Sequence, residues 1–200
     1  MAVITQKLYG GYASTNSVGS IYRVPWGKTV ILKSLTICNT SATKQMFSVE
    51  LEGIDFARLH DIEPGQTLVI PVLDQVMKAS ESVLVFCPTA NALSVRLSGK
   101  VTDRTDMLTA RMKVNTTNNT VIPAGKMIVK SIVICTLSTS PIDFYMKLGS
   151  DYVIYGKALK PLDTLFIPFL DQVLDNESVV CRVSNMSTSV TVHVNALVVN

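Results

Sequence analysis

The sequence predicts an all-β protein made of two tandem, homologous antiparallel β-sandwich domains of jelly-roll type, preceded by a short N-terminal arm. Three observations predict it: apolar residues recur with a period of two, turn signals punctuate the chain, and the whole pattern occurs twice. The expected domains are an arm at 1–19, a first sandwich at 20–102 and a second at 103–200.

The repeat is the strongest of the three. Val24-Pro25-Trp26-Gly27-Lys28 returns as Ile122-Pro123-Ala124-Gly125-Lys126. After a slip of one residue, Lys33-Ser34 and Ile37-Cys38 return as Lys130-Ser131 and Ile134-Cys135. Further on, Ile70-Pro71-Val72-Leu73-Asp74-Gln75-Val76 returns as Ile167-Pro168-Phe169-Leu170-Asp171-Gln172-Val173, and Glu81-Ser82-Val83 as Glu177-Ser178-Val179. About 20 identities in about 80 aligned positions, kept in order, mark a duplicated supersecondary unit.

Within each copy the elements follow from side-chain period. Thr29 to Ile37 and Phe47 to Glu52 read as strands, as do Leu93 to Leu97 and Val190 to Val194, because alternation puts one face in a core. Pro25-Trp26-Gly27, Pro123-Ala124-Gly125, Glu63-Pro64-Gly65, Pro161-Leu162-Asp163, Asn39-Thr40-Ser41 and Asn185-Met186-Ser187 are the expected turns. Residues 103–113 read as a linker passing into the first strand of the second copy. The Gly- and Tyr-rich segment from Leu8 to Ser20 has no apolar period. It reads either as a flexible leader or as an arm that orders against a neighbouring subunit, with Tyr9 and Tyr12 as its contact residues.

Composition narrows the function classes. The chain has 200 residues, 48% hydrophobic and only 16% charged, with a net charge of +3. Its 18 Lys and Arg residues fall evenly between the two halves, which argues against a nucleic-acid partner. No apolar run approaches the roughly 18 residues of a membrane span, and no basic-then-apolar leader opens the chain. The expectation is a soluble, intracellularly made protein with no membrane partner.

Chemistry-bearing residues are sparse. Cys38, Cys87, Cys135 and Cys181 stand singly in apolar contexts, so they are expected to be buried thiols and not zinc ligands. The two histidines, His60 and His193, occupy non-equivalent places, and alternation with Val192 and Val194 is expected to point His193 out of its strand. No nucleophile elbow is present, so no catalytic residue, cofactor or metal is expected.

Two further features stand out. Asp74-Gln75 and Asp171-Gln172 are polar pairs kept in both copies. They are expected to serve structural turns, the carboxylate accepting backbone N–H groups and the amide satisfying a strand end, with a cation or ligand site as the other possibility. Trp26, the single tryptophan, is Ala124 in the second copy, so the fold does not require it. It reads either as an interface contact or as a side chain tucked onto its own domain.

The stretch from Val24 to Ser41, its partner from Ile122 to Cys135, and Glu63-Pro64-Gly65-Gln66-Thr67-Leu68 resemble small β-sandwich modules of accessory virion proteins of tailed bacteriophages. Lys160-Pro161-Leu162-Asp163 departs from that pattern by lacking the glycine. The resemblance implies a non-enzymatic structural protein of a virion, on the capsid, neck or tail, with capsid decoration favoured. Its implied partners are further copies of the chain, as a homo-oligomer, and other virion proteins. The alternative is a module of a tail fibre or baseplate that binds host-surface carbohydrate.

Overall fold

A computed structural model of the chain describes residues 5–168, 170–184 and 190–199. The turn expected at Asn185-Met186-Ser187 and the first four residues of the expected arm lie outside them. No helix occurs among the described residues. The chain divides into two compact units, Met1–Thr105 and Asp106–Asn200.

In unit 1, β1 (Thr5–Tyr12), β9 (Leu93–Thr102), β3 (Thr29–Asn39) and β6 (Thr67–Ile70) form one sheet in that order, and β7 (Val76–Met77) also pairs with β3. The second sheet runs β2 (Tyr22–Arg23), β8 (Ser82–Phe86), β4 (Gln45–Leu51), β5 (Ile54–Ile62). Every ladder is antiparallel. Alternation fills the space between the sheets: Phe47, Val49 and Leu51 of β4 point inward with Leu35 and Ile37 of β3, all buried. Each such side chain contributes about 1.5–3 kcal/mol through removal from water.

Unit 2 repeats the arrangement with fewer breaks. Its sheet runs β10 (Met107–Val114), β16 (Val190–Val198), β11 (Asn119–Thr136), β15 (Gln172–Val183), β12 (Ile142–Leu148), β13 (Asp151–Leu159), and β14 (Thr164–Ile167) pairs with β11. The long strands β11 and β15 pass from one layer to the other, and the register of their ladder shifts between Thr120 and Met127, where the strands bend. Phe144 and Met146 of β12 point into a core shared with Ile132, Ile134, Val192 and Val194.

The registers of the two units coincide. Leu35 faces Ile70 and Ile37 faces Leu68 in unit 1, and Ile132 faces Ile167 and Ile134 faces Leu165 in unit 2, each ninety-seven residues on. Leu35 faces Leu97 as Ile132 faces Val194. A register shift between Leu32 and Ser34 on β3 recurs between Val129 and Ser131 on β11.

Three expectations are corrected. Residues 5–12, read as part of an arm, form β1 and pair antiparallel along β9. Backbone hydrogen bonds hold an edge strand without an apolar period, which is why alternation missed it. Leu8 leans on Gly99, where a Cβ would sit 2.7 Å from the Leu8 Cδ1 atom. Second, Pro25-Trp26-Gly27 is a turn, with Lys28 N–H donating to Pro25 O at 3.2 Å, but Pro123-Ala124-Gly125 lies inside β11. Third, His193 is fully buried. Alternation does place it opposite Val192 and Val194, but Thr191 and Asn195 on that second face are buried too.

The turn that lacks its glycine keeps its geometry. In unit 1, Gly65 has φ of 72° and Gln66 N–H reaches Glu63 O at 3.0 Å. In unit 2, Leu162 takes the same left-handed conformation, with φ of 52°. A leucine there costs about 1–2 kcal/mol relative to glycine because its Cβ crowds the backbone.

Candidate functional site

The retained residues of the repeat converge on one small structure in each unit. Lys33 is the extra residue at the β3 bulge, and its ammonium donates to the Asp74 carboxylate. Lys130, at the matching bulge of β11, pairs with Asp171 in the same way. Both aspartates sit at positive φ, 56° and 46°, a conformation that Asp tolerates better than most residues. Backbone bonds close the same corner, from Leu32 N–H to Gln75 O at 2.9 Å and from Leu170 N–H to Lys130 O at 2.9 Å.

The glutamines beside those aspartates differ. Gln172 is exposed, and its Nε2 donates to Leu170 O at 3.1 Å. Gln75 is fully buried, and neither its Nε2 nor its Oε1 has a hydrogen-bond partner. The lysine partner of each aspartate was missed by sequence reasoning. The signal was present, since Lys33-Ser34 and Asp74-Gln75 are repeated at one common offset.

The expected interface residues fall on two surface features. Trp26 projects from its turn with 88% of its area exposed, so it does not tuck onto its own unit. Tyr12, at the end of β1, is exposed, and the Tyr9 hydroxyl donates to Tyr12 O at 2.7 Å. Among the described residues no group of three or more His, Cys, Asp and Glu is placed to hold a metal. His60 packs beside Phe47, with ring centroids 5.9 Å apart. Burial raises the pKa of the Cys181 thiol well above the ordinary thiol range, which keeps it protonated and unreactive.

Unit 2 carries two further surface features. Between β13 and β14 lies an open groove of about 510 Å³, lined by Val153, Tyr155, Lys157, Leu165 and Ile167 among others. Unit 1 has Phe56 at the position of Val153, fully buried, whereas Val153 is 42% exposed. On the outer face of β12 and its neighbours, Tyr145, Tyr152 and Tyr155 form an aromatic cluster. The Tyr155 ring meets Tyr145 edge-on at 5.4 Å and Tyr152 edge-on at 5.0 Å. Lys147 Nζ lies 4.4 Å from the Tyr152 centroid, and Arg182 Cζ lies 3.9 Å from that of Tyr145. Retention between copies could not reveal this cluster, because its residues occur in one copy only.

No family model matches the chain, and no curated protein does. Among solved structures, the chain is similar to the major capsid protein P2 of bacteriophage PM2, at 10% identity with 96% of each chain covered and a TM-score of 0.37. It is also similar to a chain of Sulfolobus turreted icosahedral virus, at 10% identity over 88% of this chain and 54% of that one, with a TM-score of 0.27. A third similarity is to a chain from a structure describing the triple jelly roll fold and turret assembly in an archaeal virus. There identity is 12%, covering 98% of this chain and 58% of that one, with a TM-score of 0.26. The chain spans a little over half the length of the second and third.

Proposed function

We infer that this chain is a non-enzymatic structural component of a virus particle, assembling with copies of itself and with other virion proteins. The observation that carries the reading is the exposed apolar surface of a protein with few charges. Trp26, Val18, Tyr155, Val173 and Val69 each expose two-thirds or more of their area. Such side chains are stabilised by covering them, and obligate interfaces are more apolar than ordinary surface. The strands β1, β5, β10 and β13 end their sheets, so neighbours also have backbone edges to cover.

The resemblance of the Val24–Ser41 and Ile122–Cys135 segments to tailed-phage accessory modules supports a phage particle, with capsid decoration favoured over neck or tail. Mass spectrometry of purified particles from a lysate expressing the chain tests this. Recovery at a fixed ratio to the shell protein is expected, and absence from particles while abundant in the lysate overturns it. A second reading, a module binding host-surface carbohydrate, is favoured by the tyrosine cluster on β12 and β13.

A further inference from the structure

We propose that the outer face of β12, β13 and β15 in unit 2 binds an anionic, carboxylate-bearing saccharide. The proposal deepens the carbohydrate-binding reading and is independent of whether the chain sits on a capsid.

Two cross-strand pairs build the surface. Tyr145 on β12 lies opposite Arg182 on β15, and Lys147 on β12 lies opposite Tyr152 on β13. Each pair stacks a cation on a ring, which fixes the direction of the charge without neutralising it. Among the described residues, neither Lys147 nor Arg182 forms an ion pair with a carboxylate. Tyr155 projects beside them, and Asn118 is a neighbour of Tyr145, Lys147, Tyr152 and Arg182 on this surface.

Unit 1 serves as an internal control. Its pair corresponding to Lys147 and Tyr152 is Glu50 opposite Asp55, two carboxylates, with Asp55 bonded to Arg58 at 2.9 Å. Its pair corresponding to Tyr145 and Arg182 is Ser48 opposite Phe86. The same fold therefore forms with the opposite charge and without tyrosine at these positions, so folding does not require the cluster. Complementarity to two unneutralised cations selects an anion.

The location favours a saccharide over a peptide. β12 is hydrogen-bonded on both sides, to β13 and β15, so a peptide lying over Tyr145 and Lys147 has no strand edge to pair with, and the open edge of β13 is on its far side from β12. A peptide lying there would leave its backbone groups unsatisfied. Sugar hydroxyls find partners in the tyrosine hydroxyls and the Asn118 amide, sugar C–H faces pack on the rings, and the carboxylate meets Lys147 and Arg182. Two cations are also too few to track a nucleic-acid backbone.

The test is an NMR titration of the full chain with tetragalacturonate, beside maltotetraose, a single-stranded oligothymidylate and pentaglutamate. Saturable shifts centred on residues 145, 147, 152, 155 and 182 with tetragalacturonate are expected. Arg182→Ala and Tyr152→Ala should each weaken binding by about tenfold, with melting unchanged and Tyr152→Phe retaining most of the ring stacking. Equal binding of maltotetraose overturns the anionic assignment while leaving a carbohydrate module standing. No shift with either sugar, or tighter binding of the oligothymidylate or pentaglutamate, overturns both. Binding that Arg182→Ala leaves unchanged places the ligand elsewhere and also overturns the proposal.

Discussion

The ammonium of Lys33 is held against the carboxylate of Asp74 at the bulge of β3, and Lys130 holds Asp171 at the matching bulge of β11. A bulge inserts one residue and so decides which residues beyond it face the core. Holding the inserted lysine to the corner after β6 or β14 ties that decision to a second part of the chain.

The Lys33 and Asp74 side chains are 30% and 61% exposed, so solvent screens the pair. A double-mutant cycle with Lys33→Met and Asp74→Asn should give a coupling of about 0.5 kcal/mol. Backbone conformation should weigh more. Because Asp74 has φ of 56°, Asp74→Ala should be less stable than Asp74→Gly by about 1 kcal/mol, read from chemical denaturation.

Leu162 offers the opposite case. It holds a left-handed conformation that Gly65 supplies in the first copy, so Leu162→Gly should stabilise unit 2 by about 1 kcal/mol. Amide hydrogen exchange in β13 and β14 should slow. Faster exchange there would mean that the leucine side chain contributes more than its backbone costs.

The thiols should separate by burial. Cys38 is partly exposed, whereas Cys87, Cys135 and Cys181 are buried. A thiol reagent at neutral pH should label Cys38 first and the others only on unfolding. The folded-state pKa of Cys181 is raised by burial. Its contribution to stability is therefore complete below the ordinary thiol range and is lost as pH rises from there toward the folded value. Cys181→Ala should flatten the alkaline fall in stability, measured by urea titration at each pH.

The two units should answer differently to truncation at equivalent positions. Phe56 is fully buried and Val153 is 42% exposed. Phe56→Ala should cost unit 1 about 3–5 kcal/mol, whereas Val153→Ala should cost unit 2 less than about 1 kcal/mol. Hydrogen exchange resolved by residue reads the units separately.

Much of this was legible in the sequence, and what was not has physical causes. The inward strands were legible because Phe47, Val49 and Leu51 alternate with polar neighbours, and the duplication was legible in Pro-x-Gly-Lys and Leu-Asp-Gln segments kept in the same order with a slip of one residue between them. β1 was not, since an edge strand needs only its backbone. His193 was not, since alternation says which face a residue takes and not whether that face is covered. Tyr145, Tyr152 and Tyr155 form a cluster through strand register between β12 and β13, which spacing alone did not reveal. Trp26 was legible as dispensable to the fold, and its exposure is consistent with a contact role.

The central claim is that exposed apolar surface drives assembly, and Trp26 allows it to be measured directly. As the only tryptophan, it reports its own environment through fluorescence quenching by iodide, followed together with mass by light scattering over a concentration series. The account predicts a discrete oligomer whose formation shields Trp26 from iodide, and a shift toward smaller species in Trp26→Ser. A monomer at every concentration, with Trp26 fully quenchable throughout, would contradict it.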